Sequence, residues 1–115
     1  QEENISKLKK IDKFLATEFA YFLGKLQSVK EGEGTLLDHS MVLYGSGLGD
    51  ANRHDHSGLP VVMAGNANGT IQTGRHITFK SEEPMNNLFL SVLDRLGAQV
   101  DKIGDSSGRL KALGA

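Results

Sequence analysis

One apolar stripe constrains this chain more than any other feature. Ile5, Leu8, Ile11, Leu15, Phe19, Phe22, Leu26 and Val29 follow at steps of three or four, which lines them along one face of a helix over residues 4–30. Phe14, Tyr21 and Leu23 widen the stripe in its middle. At 1.5 Å per residue such a helix runs roughly 40 Å, the width of a whole domain of this size. A stripe so long and aromatic is core material that needs a broad apolar partner. The rest of a 115-residue chain supplies little of one.

Beyond the stripe, the chain reads as short elements punctuated by glycine. Glu31-Gly32-Glu33-Gly34-Thr35 is expected to end the helix, with a glycine just past its last turn. Residues 41–44 (Met-Val-Leu-Tyr) and 60–64 (Pro-Val-Val-Met-Ala) are continuous apolar runs bounded by glycine. That pattern predicts buried parallel strands covered on both faces. Residues 70–72 and 76–79 alternate, and predict a small edge ribbon around Gly74. A second helix is predicted over 84–96, with Pro84 in its first turn, Ser81 as a cap and Gly97 as its stop. Met85, Leu88, Val92 and Leu96, with Phe89 and Leu93, form its buried stripe.

Composition narrows the function classes. Thirteen Lys and Arg stand against 14 Asp and Glu, and 38% of residues are hydrophobic, which excludes a disordered tail, a polybasic nucleic-acid arm and a coiled coil. Residues 1–33 carry six Lys and six acids, so no single-sign field steers a charged macromolecule. No apolar run approaches the roughly 18 residues that a membrane span needs. There is no cysteine, hence no disulfide framework and no thiolate site. The chain begins at Gln1 without a signal peptide, and two strands do not make a stable open sheet. The expectation is a single segment, 1–115, belonging to a larger α/β domain, with 1–33 its long helix and 34–115 its strand, loop and helix portion.

The densest polar cluster, residues 50–58, comes after the C-terminal end of the first strand, where open α/β sheets place their ligand crevice. His54 and His56 at i and i+2 can aim at one point on an extended backbone, and imidazole suits zinc and similar ions. Asp50 and Asp55 could add hard oxygen ligands or accept from the imidazoles. The other reading is a polar loop whose side chains cap backbone groups. Gly45-Ser46-Gly47-Leu48-Gly49 lacks the Lys-Ser/Thr of a phosphate loop, and no G-x-S-x-G elbow surrounds Ser46. His39 reads as a turn residue. Arg75 with His76, and Arg109, could each meet an anion or simply be solvated.

The run from Gly34 to Ser57 (GTLLDHSMVLYGSGLGDANRHDHS), together with LPVVMAGN, TGRHITF, PMNNLFLSVLDRLG and GDSSGRL after it, resembles the C-terminal third of a secreted bacterial family classed as a domain of unknown function (number 1552). That family resembles the sulfatase and alkaline-phosphatase-like superfamily, and the resemblance covers essentially the whole chain. It implies a portion of a three-layer α/β sandwich and a secreted or periplasmic location. In active members of the superfamily a strand ends in T-S-D-H-G, whose Asp and His bind metal. Gly47 and Leu48 stand at those positions here and cannot ligate through their side chains. His56, with Ser57-Gly58-Leu59-Pro60-Val61 after it, fits a second metal-binding pattern of the superfamily and carries over as a candidate ligand for a divalent ion such as Zn, Mn or Ca. The resemblance assigns no role to Asp50, His54 or Asp55, and the superfamily's nucleophile lies in sequence that this chain does not contain. The expectation is therefore a segment that is non-catalytic by itself, with a single-metal or anion site at the His54–His56 loop. Its rivals are an ester hydrolase completed by further sequence, and an interaction subunit that docks on protein chains, its own copies included, through helix 4–30.

Overall fold

The computed structural model describes residues 1–114, which form two compact units, residues 1–37 and 38–114. The chain is mixed α/β, with two helices and two small antiparallel sheets among the described residues.

The first unit is dominated by helix α1, Glu2–Ser28. Glu2 and Glu3 lie in its first turn and Lys25 in its last, the charge order the helix dipole favours. Glu3 also pairs with Lys7 one turn on, at 2.7 Å. Val29 leaves the helix in extended conformation. Strands β1 (Lys30–Glu31) and β2 (Gly34–Thr35) then form a tight antiparallel hairpin, with Glu31 opposite Gly34. Gly32, at φ +57°, opens the turn between them. It serves the hairpin and not the helix stop that its position suggested. The hairpin lies close to the C-terminal end of α1, where Phe19, Leu23 and Leu26 become half-buried. No residue of α1 is fully buried.

In the second unit β3 (Val42–Gly45) pairs with β4 (Val61–Ala64), Leu43 facing Met63 and Tyr44 facing Val62. The pairing is antiparallel, which corrects the parallel arrangement expected from the apolar runs. A parallel return requires a crossover of a dozen or more residues, usually a helix. The connection 46–60 contains no helix and doubles back on itself, so the second strand arrives in the opposite direction. Burial on both faces is also not found: Leu43, Val61 and Val62 are exposed. One helix and a wrapping tail can cover only part of the sheet.

Helix α2 spans Met85–Arg95. Pro84 is its N-cap residue, with no side-chain cap, so Ser81 does not play the expected role. At the other end Gly97, at φ +79°, closes the helix as predicted: its N–H donates to the Asp94 carbonyl and that of Ala98 to the Leu93 carbonyl. Leu88 is buried and Leu90 is completely so, whereas Leu96 is 67% exposed and Val92 only half-buried. The buried face is thus rotated from the predicted stripe and carries Asn87 and Ser91. Ala67, Ile71, Leu88 and Leu113 make a small core, with Met41, Met63, Met85, Val92 and Leu110 packed against it. The ribbon expected over 70–79 has no strand; that segment is bends and irregular chain, and buries Ile71.

Candidate functional site

The loop between β3 and β4 is held by its own hydrogen bonds. The Gly49 N–H donates to the Asp55 carbonyl (2.8 Å) and the Asp55 N–H to the Asp50 carbonyl (3.0 Å), which closes a short antiparallel bridge. Glycine is required at the base of this loop. A Cβ on Gly49 would collide with the Ser57 carbonyl oxygen, and one on Gly45 would lie 2.6 Å from that of Pro60. Both are backbone atoms that cannot swing away.

Each candidate ligand has a definite place in this loop. The Asp50 Oδ1 accepts from the backbone N–H groups of Asn52 (2.9 Å) and Arg53 (3.3 Å), as turn-forming aspartates do. Its other oxygen lies 3.6 Å from the Arg53 guanidinium. The Asp55 Oδ1 accepts from the Ser57 N–H (2.8 Å) and hydroxyl (2.6 Å). These two bonds, the hydroxyl's first, with a smaller contribution from the neighbouring His56, hold the Asp55 carboxyl below the ordinary carboxylate range. His54 sits at the turn with φ +54°, a left-handed conformation that histidine tolerates better than most residues. All four residues are exposed.

His56 differs from the others. Its Nδ1 lies 2.8 Å from the Gly47 carbonyl oxygen, and a carbonyl can only accept. Nδ1 therefore carries the proton, and in the neutral ring Nε2 keeps the lone pair. A backbone carbonyl on one imidazole nitrogen is the arrangement that fixes a histidine's tautomer and leaves the other nitrogen able to ligate. The other three do not join it: among the described residues, no group of three or more His, Asp or Glu is placed to hold a metal ion.

Beside this loop lies a groove of about 260 Å³, walled by Leu43, Tyr44, Leu59, Val61, Met85 and Phe89 with Gly45-Ser46-Gly47 at its edge. Ser46 uses its Oγ to accept the Leu48 N–H at 3.1 Å. The groove's walls are apolar and offer no metal ligand.

The basic residues singled out from sequence are engaged elsewhere. Arg109 makes a two-pronged pair with the Asp94 carboxylate (3.0 and 3.1 Å) and donates to the Val100 carbonyl. Arg75 donates to the carbonyls of Gln72 and Ala112. His39 lies in the turn 36–39, as expected, and His76 is exposed.

A polar network that sequence reasoning missed lies under the C-terminal tail. Asn87 Oδ1 accepts from the N–H groups of Ser107 (2.8 Å) and Gly108 (3.3 Å), while its amide donates to Glu83 and to the Ser107 hydroxyl. Ser91 Oγ accepts the Leu110 N–H at 2.7 Å. An Asn and a Ser spaced four apart inside an apolar helix were the available signal. They mark where Gly-Asp-Ser-Ser-Gly-Arg-Leu is stitched down.

Comparison with protein-family models, with curated proteins and with solved structures gives no match for this chain.

Proposed function

We propose that this chain is a non-catalytic segment of a secreted, sulfatase-like protein that contributes His56 as a single ligand to a divalent metal, its two helices and strands belonging to a larger three-layer sandwich. The observation that supports this reading is the Nδ1–H bond from His56 to Gly47, which leaves the lone pair on Nε2, the nitrogen that would ligate. Gly47 and Leu48 offer only backbone groups and apolar carbon, and the Asp50 and Asp55 carboxylates already accept hydrogen bonds within the loop. A lone imidazole holds a transition metal weakly, because protein sites ordinarily supply three or four ligands.

Zinc titration by calorimetry tests it. The wild type should give a weak binding heat that disappears in acid, since a ligating imidazole must be neutral. His56→Ala should abolish that heat and His54→Ala should leave most of it. Equal heats for wild type and His56→Ala would remove the metal reading.

A second reading is favoured by one observation. The apolar stripe of α1 is open, with Phe14 62%, Leu8 58% and Phe22 49% exposed. We infer that this face docks on protein, either the rest of the same domain or other chains. It is not a membrane span, for no helix among the described residues is long and apolar enough to cross one.

A further inference from the structure

Asn68-Gly69 is the one place in the sequence where glycine comes directly after asparagine, and the structure gives that pair an unusual setting. Ala67, Asn68 and Gly69 are all left-handed, at φ +47°, +60° and +81°. Asn68 is exposed, belongs to neither a helix nor a strand, and forms the outer part of a turn whose inner residues, Ala67 and Ile71, are in the core. A Cβ built on Gly69 meets nothing within 4 Å, so the chain is open on the side where a side chain would stand. The turn is anchored on either side of the Asn68–Gly69 peptide, by the Asn68 N–H to the Asp38 carbonyl (2.9 Å) and the Ile71 N–H to the Asn66 carbonyl (3.0 Å).

We propose that Asn68 is a site of spontaneous chemical conversion, the position at which this folded protein ages first. The Gly69 backbone nitrogen loses its proton and bonds to Asn68 Cγ. The Cγ–Nδ2 bond breaks and the nitrogen leaves as ammonia, which closes a five-membered succinimide. Solvent water then opens the ring. Cleavage of the Cγ–N bond gives aspartate; cleavage at the main-chain carbonyl gives isoaspartate, in which the backbone runs through the former side chain. Nothing is oxidised or reduced. The same Gly69 N–H donates to Asn66 Oδ1 at 3.1 Å, which restrains the attacking group and makes the folded chain slower than the unfolded one. Glycine still sets Asn68 apart from the other asparagines, because each of those precedes a residue whose side chain obstructs the ring closure.

The consequence reaches the core. Isoaspartate adds a methylene to the main chain between Ala67 and Thr70, within the turn that carries the buried Ala67 and Ile71, and every product adds a negative charge to the turn.

The experiment is incubation of the intact wild-type chain in mildly alkaline buffer, then peptide mapping for the amide-to-acid mass change. Conversion is expected at Asn68 well ahead of Asn4, Asn52, Asn66, Asn86 and Asn87, at a rate that rises with hydroxide concentration. The converted population, separated by its extra charge, should melt at a lower temperature than the unconverted one. An Asn68→Gln chain aged alongside should keep its charge and its melting temperature. Conversion of Asn68 no faster than the other five in the folded protein would overturn the proposal, and that reading needs only the wild type.

Discussion

Asn87 is 2% exposed, and its carboxamide is satisfied at both ends by groups from the tail and from Glu83. Removing it takes the acceptor from the N–H groups of Ser107, which is exposed, and Gly108, which is half-buried, so water replaces part of what is lost and each bond is worth about 0.5–1.5 kcal/mol. Asn87→Ala should therefore destabilise the second unit by about 1–3 kcal/mol, read as a lowered midpoint in urea. Leu88→Ala, which opens space in the core, should cost about 2–5 kcal/mol. An unmoved midpoint would mean that α2 is not what holds the core. A charged residue adds a pH dependence. The Arg109 guanidinium on Asp94 holds that carboxyl below its ordinary range and raises Arg109 in return. A carboxyl more acidic in the folded chain than in the unfolded one favours folding above the unfolded pKa, and that contribution fades as the pH drops through the folded pKa. Both side chains are about a third exposed, so the effect is modest. Part of the acid sensitivity should vanish in Asp94→Asn, measured as a shallower fall of melting temperature with pH.

At the scale of elements, α2 has a clean stop and α1 does not. Gly97 closes α2 through two backbone bonds in a left-handed conformation, and a Cβ there would meet no neighbour. The cost of Gly97→Ala is thus purely conformational, about 1 kcal/mol. A thermal shift as small as that of an exposed helix-surface substitution would contradict it. The sequence located both helices because their apolar residues keep a 3.6-residue period. It misassigned the direction of β4, because a short apolar run carries no information about which way its neighbour runs. It also rotated the buried face of α2: Asn87 and Ser91 look like solvent positions until the tail that bonds to them is known.

For the molecule as a whole, the open stripe of α1 carries the strongest expectation. Exposed apolar patches beyond a few hundred Å² ordinarily mark interfaces, and Ile5, Leu8, Ile11, Phe14, Leu15 and Phe22 are all exposed along one helix. The isolated chain should sediment above its 12.4 kDa monomer at micromolar concentration. Phe14→Glu with Phe22→Glu should return it to monomer while leaving the core of the second unit intact. A monodisperse monomer with those phenylalanines shielded by the chain itself would remove the docking reading.

The sequence alone determined the two helices, the glycine stop of α2, the positions of both apolar strands and the polar loop between them. Each of these depends on periodicity or turn chemistry within a few residues, and such patterns are local. Only the tertiary structure decided that the strands are antiparallel, that Arg109 belongs to Asp94, and that His56 is bound through Nδ1 while the two aspartates serve their own loop. The strand direction and the Arg109–Asp94 pair depend on which groups meet across many residues of chain, and the His56 bond to Gly47 spans nine. The aspartate bonds reach only two or three residues on, but they compete with every other use of the same side chain. No spacing encodes that, because a carboxylate satisfied by its own backbone and one waiting for a metal are the same letter.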